Sequence, residues 1–304
     1  MNNNKLTYFI SSLFMYGVGF SSIFRLCKND SWFVILIGSI ISLIILPFYR
    51  KLLSRNKYIN LLNILFILLI NMMILRIYIT SFYLTKTPGL FITIPFICLC
   101  YYNASKGEKN IFKESNILFL FSVITITLNL LASTKTGSID FFTPVFHSPT
   151  RNILTGVFYY IVYIISPFVL LKNAETDTKL FLFSNIFILF MSVIIIFVLG
   201  PNLISIYRFP EYMIYKEINL FGFIENVENL VCLVYFLNLF VTTSLCFSNI
   251  NNITNNKYIK YILIGFILFI TEFVSDKYNY SLFIYKYLPL ILLSFIILHV
   301  LKKE

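Results

Sequence analysis

Long apolar runs separated by short polar connections set the plan of this chain. Ten of them reach or approach the roughly 20 residues that an α-helix needs to cross about 30 Å of hydrocarbon. They lie at 7–24, 32–49, 58–83, 88–103, 115–133, 151–172, 179–200, 227–247, 257–275 and 281–301. Pro88 and Pro95 shorten the fourth run, and Asn251 to Asn256 make a soft turn before the ninth. The pattern predicts an all-α polytopic membrane protein with ten transmembrane helices in one integral membrane domain over 1–304. The first run opens after Lys5 and shows no small-residue cleavage site, so a retained helix is expected there rather than a signal peptide.

The interval 198–230 breaks the rhythm. Gly200-Pro201 ends one run, and a polar, aromatic segment containing Arg208, Glu211, Lys216, Glu217, Glu225 and Glu228 leads into the next. This composition predicts a structured loop on a membrane face, with Tyr212 to Phe223 folding as a short amphipathic lid.

Composition supports the membrane assignment: 59% of residues are hydrophobic, 12% are charged, and the mean hydropathy is +0.84. The net charge of +11 does not form a basic stripe, because Lys and Arg are scattered singly between apolar runs, and no nucleic-acid partner is expected. The charge serves instead to orient helices. Fourteen Lys and Arg fall on the side of the N-terminus and eight on the other, with Arg76 and Lys286 inside runs, so both termini are expected in the cytoplasm. The long connections 134–150 and 201–226 then lie on the opposite face. Five cysteines, Cys27, Cys98, Cys100, Cys232 and Cys246, sit in or beside apolar runs without disulfide or metal-site spacing.

Ten runs divide into two fives. Runs one and six each carry glycine, at Tyr16-Gly17-Val18-Gly19 and Thr155-Gly156. Broken helices at corresponding places in two halves point to an inverted-repeat transporter fold with a central site. Close helix packing at small residues is the competing explanation.

Several motifs occur in a familiar order. Val198-Leu199-Gly200-Pro201 is followed by Phe209-Pro210 and by Ile218-Asn219-Leu220-Phe221-Gly222-Phe223-Ile224-Glu225-Asn226-Val227-Glu228. Upstream stand Ser166-Pro167-Phe168-Val169-Leu170-Leu171-Lys172-Asn173, Asp30-Ser31-Trp32 and Gly17-Val18-Gly19. The set resembles the B subunits of spore germination receptors, the GerAB-type permeases. It extends over most of the chain in segment order and is densest over 138–230. The resemblance implies the LeuT-like fold of the amino acid, polyamine and organocation (APC) superfamily. That fold has two inverted five-helix repeats, here about 7–133 and 151–301, with helices 1 and 6 interrupted at a nutrient site. It also implies germinant sensing with A and C receptor subunits in the spore inner membrane. The chain departs from the family in its shortness and tight loops. Thr155-Gly156-Val157-Phe158 also stands where a Pro-Phe-Gly-Glu-like break is expected, so no role carries over for the missing carboxylate.

An unwound first helix would free backbone N–H and C=O groups for a ligand such as an amino acid zwitterion. Candidate ligand contacts are Tyr16, Gly17, Gly19, Phe20, Asn71, Thr155, Gly156, Phe158, Tyr159 and Asn238. Thr242 and Thr243 are candidates for an ion, and Tyr207, Pro210, Tyr212 and Phe223 for an external lid over the entry path. Interhelical pairing of the Asn and Thr residues, at about 0.6 kcal/mol each, is the structural alternative. Arg76, Glu272 and Lys286 fall near the outer ends of their runs. No Asp, Glu or His is expected at mid-membrane depth, which favours sensing over proton-driven uptake. His147 and His299 lack catalytic partners, and neither a phosphate loop nor a metal cluster is evident, so no enzyme activity, cofactor or metal is expected. An amino acid permease on the same fold and a ligand-free scaffold are the other functions considered. The ligand itself is open: amino acid, sugar, nucleoside or inorganic ion.

Overall fold

The computed structural model describes residues 5–53, 57–171, 176–216, 228–254 and 257–277. The first apolar run becomes two short helices, α1 (Leu6–Ser12) and α2 (Phe20–Cys27), joined through a π-helical turn at Met15–Gly19. A 3-10 turn at Lys28–Asp30 leads into α3 (Ser31–Leu53), followed by α4 (Lys57–Phe82), α5 (Leu90–Ser105) and α6 (Glu108–Ser133). After the 134–149 connection come α7 (Thr150–Ile165), α8 (Thr178–Ile206), the short α9 (Pro210–Lys216), α10 (Glu228–Ile253) and α11 (Lys257–Lys277). Every element among the described residues is helical.

Six stretches among the described residues are long and apolar enough to cross a bilayer. Leu6–Arg50 is one, and it holds the first two expected runs. The others are Ile59–Phe82, Glu108–Ser133, Thr150–Leu171, Thr178–Ile206 and Asn229–Ile253, while Leu90–Ser105 is apolar but shorter. The expected tenth run, 281–301, lies outside the described residues, as do Phe223 and most of the 218–228 motif.

Helix ends follow local chemistry. Asp177 caps α8, its carboxylate accepting from the amides of Lys179 and Leu180. Gly200 interrupts the same helix in a left-handed conformation, φ 70°, which only glycine adopts without strain, before Pro201 restarts a helical turn. At the 134–149 connection, the Asp30 carboxylate accepts from the amides of Phe146 at 2.7 Å and Ser148 at 2.8 Å. This ties the 143–148 segment to the junction of α2 and α3.

The helices pack as two groups. In one, α3 lies along α7 and α8, with α1 and α2 against α7 and α8. In the other, α10 lies against α4, α5 and α6, and α11 covers α4. Polar pairs hold each group: Asn185 accepts from Tyr160 at 2.8 Å and from Ser42 at 3.3 Å in the first. Arg76 pairs with Glu272 at 2.9 Å in the second. Between the groups sits α9, touching α8, α10, α6, α2 and the π turn.

The sixth apolar run requires a correction. α7 passes through Thr155 and Gly156 without interruption, and the chain tightens into a 3-10 helix only at Ser166–Leu171. Gly156 is there for packing: a Cβ on it would stand 3.0 Å from both Cys27 Sγ and Val34 Cγ1, so the missing side chain lets α7 approach α2 and α3.

Candidate functional site

The first helix loses its regular path at Tyr16, whose ψ is 126°, and Gly17, at φ 76° and ψ −26°. Two features demand glycine at 17. The positive φ is one, and the other is space, since a Cβ there would run into Tyr235 Oη and the Phe209 ring. Helical bonding resumes where the Gly19 amide donates to the Phe14 carbonyl at 2.7 Å. The break lies wholly in the interior, with Met15 to Gly19 all buried.

Groups freed at the break are met by side chains from distant elements. The Tyr16 carbonyl accepts from Tyr235 Oη of α10 at 3.0 Å. The Gly17 amide donates to Glu211 Oε1 of α9 at 2.5 Å. The Tyr16 hydroxyl stands 3.4 Å from that of Tyr8 and 3.7 Å from Met191 Sδ. One turn toward the N-terminus, Ser12 Oγ accepts from Asn238 Nδ2 at 2.9 Å.

Glu211 arrives here because of how α9 is built. Pro210 at its first position has no N–H to leave unpaired and a pre-set φ, and an acidic first turn and basic last residue suit the helix dipole. The apolar and aromatic side chains carry the helix inward: Phe209, Pro210, Tyr212, Ile214 and Tyr215 are buried. Glu211 goes with them and is only 4% exposed. Burial pushes its carboxyl up to about 8, partly offset by hydrogen bonds from its own amide and that of Gly17. Oε2 of Glu211 and the Tyr215 hydroxyl have no hydrogen-bond partner.

Glu211 borders a cavity of about 20 Å³ lined also by Tyr16, Tyr78, Met191, Tyr212 and Tyr235 among others. That volume suits a single water-sized group. A larger space of about 510 Å³ lies beside it, lined by residues such as Leu75, Tyr83, Asn229, Cys232 and Leu239. Tyr78 and Tyr235 line both, so this ring pair, with centroids 4.6 Å apart, is the partition between them.

The sequence-derived candidates separate into distinct places. Tyr16 and Gly17 form the break, and Gly19 and Phe20 lie immediately after it, with Phe20 stacked on Phe24 at 5.6 Å. Asn71 is fully buried and donates to Thr242 at 3.4 Å and Thr243 at 3.3 Å, so these three form one interhelical cluster. Asn71 Oδ1 and Asn238 Oδ1 have no partner. The helix-six candidates do not join the break. The Thr155 hydroxyl is spent on the Arg151 carbonyl at 2.8 Å, Gly156 faces α2 and α3, and Phe158 and Tyr159 are half-buried, with Tyr159 beside Tyr163.

Two expectations about the 201–226 connection are corrected. Its described part is no surface lid: Pro210 and Tyr212 are buried between the helix groups, and Tyr207 is the half-buried, extended residue that leaves α8. It also brings an interior carboxylate, Glu211, to the break, where the apolar runs had offered none. Tyr78, Met191 and Tyr235 are further site residues that sequence reasoning missed. Each lies in an apolar run with nothing to mark which face turns inward.

No curated protein matches the chain. A family model described as spore germination protein matches residues 3–281, nearly the whole length. The broken, buried first helix thus sits in an integral membrane protein that belongs to the spore germination permease family.

Proposed function

We propose that this chain is the nutrient-sensing B subunit of a spore germination receptor. In this reading ten helices in two inverted repeats place a small ligand, an amino acid in the first instance, at the break of the first helix. Both termini face the cytoplasm, and the A and C subunits are its partners. The observation that carries it is the pair of backbone groups at Tyr16 and Gly17, freed from helical bonding and held by side chains of α9 and α10. An incoming ligand replaces one or both contacts, and whatever displaces Glu211 from the Gly17 amide also moves α9, which touches both helix groups. Binding energy is thereby coupled to helix arrangement. Saturable amino acid binding by the reconstituted protein, with its partner subunits, tests this, together with germination of spores lacking the chain. Absence of binding combined with normal germination on every nutrient refutes it.

Glu211 favours a second reading, an amino acid permease that moves protons with its substrate. A buried carboxylate that titrates near neutral pH beside a broken helix is the kind of group such transport uses. Substrate counterflow in proteoliposomes distinguishes the two: flux supports transport, and binding without flux supports sensing.

A further inference from the structure

The cavity beside Glu211 has a chemistry of its own. Glu211 lines the cavity; one of its carboxylate oxygens is occupied by the Gly17 amide, and the other, Oε2, is buried and unpartnered. Around it stand the rings of Tyr16, Tyr78, Tyr212 and Tyr235 and the thioether of Met191. Ring faces are negative and attract a cation, and a carboxylate in their midst attracts it further. Once Glu211 is ionised, an anion is disfavoured here. A hard divalent ion needs six or more oxygens, whereas this site offers one free carboxylate oxygen, and no group of three His, Cys, Asp or Glu able to hold a metal occurs among the described residues. The volume of about 20 Å³ admits one water-sized group.

We propose that Glu211 and the tyrosines around it form a subsite for a primary ammonium group, whose N–H bonds are accepted by Glu211 Oε2 and whose charge is enclosed by the rings of Tyr16, Tyr78 and Tyr235. The subsite supplies the amine half of ligand recognition and rests on the proposed sensing function for its physiological ligand. Entry runs from the 510 Å³ space past the Tyr78 and Tyr235 partition.

The titratable groups facing Glu211 are Tyr16 of the break, Tyr78 of α4, Tyr212 and Tyr215 of α9 and Tyr235 of α10, with Tyr8 of α1 behind Tyr16. No Lys or Arg lines the cavity among the described residues. All of these neighbours are neutral at pH 7, so Glu211 alone sets the pH response. An alkylammonium stays charged to beyond pH 9 and competes with the proton on Glu211. Its affinity therefore rises with pH until the carboxyl is ionised and levels off above about 8.

Isothermal titration of the full chain in lipid nanodiscs with methylammonium chloride at pH 6, 7 and 8 tests this. Saturable binding of one ion per chain is expected, weakening about tenfold per unit below pH 8. In Glu211→Gln, with cooperative unfolding intact, the affinity falls at least tenfold and its pH dependence vanishes. Should that variant not fold, Tyr78→Leu, which removes a ring face and leaves the carboxyl, is expected to weaken binding severalfold. The subsite is overturned by unchanged affinity in whichever variant folds, by absence of binding at pH 8, or by equal competition from potassium. Alanine titrated in parallel separates this from the sensing function. Alanine binding that ignores pH and the Gln variant leaves sensing standing without the subsite, and methylammonium binding with no amino acid binding leaves the subsite without sensing.

Discussion

Replacing Glu211 by Gln should make the protein more stable at alkaline pH while changing little in acid. The reason is the sign of the linkage. The folded carboxyl titrates at about 8 and the unfolded one near 4.5, so the folded state binds more protons over that interval. The group's favourable state is fully present below pH 4.5 and is lost as pH rises through 8. At about 1.4 kcal/mol per unit, the full span is on the order of 5 kcal/mol. Gln keeps an oxygen for the Gly17 amide and carries no charge, so its curve lacks this decline. Buried Cys27, Cys100 and Cys246 provide the assay, because a thiol-reactive dye reads their exposure on thermal unfolding in detergent. Wild type should lose several degrees relative to the Gln variant between pH 5 and pH 9. Parallel curves for the two proteins would show that Glu211 is neither buried nor bonded as described.

Other outcomes follow from the same contacts. Gly17→Ala forces a side chain into a left-handed conformation and against Tyr235 and Phe209, and should cost about 1–3 kcal/mol by the same thermal assay. A fully stable variant is the refuting result. Tyr235→Phe leaves the Tyr16 carbonyl without its donor and should cost about 1 kcal/mol, read as a lower unfolding midpoint. For Arg76 and Glu272, whose side chains are 10% and 19% exposed, a double-mutant cycle should give a coupling above about 1 kcal/mol, and additivity would show that the pair does not hold α4 to α11. Gly156→Leu should destabilise by disrupting the contact of α7 with Cys27 and Val34, whereas Thr155→Ala, which loses only a bond within its own helix, should be nearly silent.

How much of this was legible in the chain depends on the kind of signal. Apolar length placed α3 and α4 within a few residues of both ends and α7 and α8 within one residue of their starts, because the bilayer requires that length whatever the partners. The irregularity at Gly17 was also readable, since Gly-Val-Gly inside an apolar run weakens a helix locally. Thr155-Gly156 carried a similar mark and has the other meaning: glycine serves an unwound backbone or a close neighbour, and only the neighbour, here Val34, decides which. The burial of α9 was hidden for the opposite reason. Arg208, Glu211 and Lys216 make the segment look like a surface, while the contact that draws Glu211 inward spans 194 residues of sequence. Charge in a connecting segment told of solvent when the partner was an unpaired amide in the core.

The two halves of the first helix share the α7 and α8 surface but have separate polar ties. α1 is fastened to α10 through Ser12 and Asn238, whereas the Asp30 clasp at the far end of α2 grips the chain just before α7. Gly17 thus stands where the chain passes from a polar tie to α10 to one at the entry of α7. At 1.5 Å per residue, the eight residues of α2 form an arm of about 12 Å. A tilt of about 10° displaces its tip by about 2 Å, as much as a small helix shift at an interface. Such a tilt at Gly17 would be felt at the Asp30 clasp, which holds the 143–148 segment.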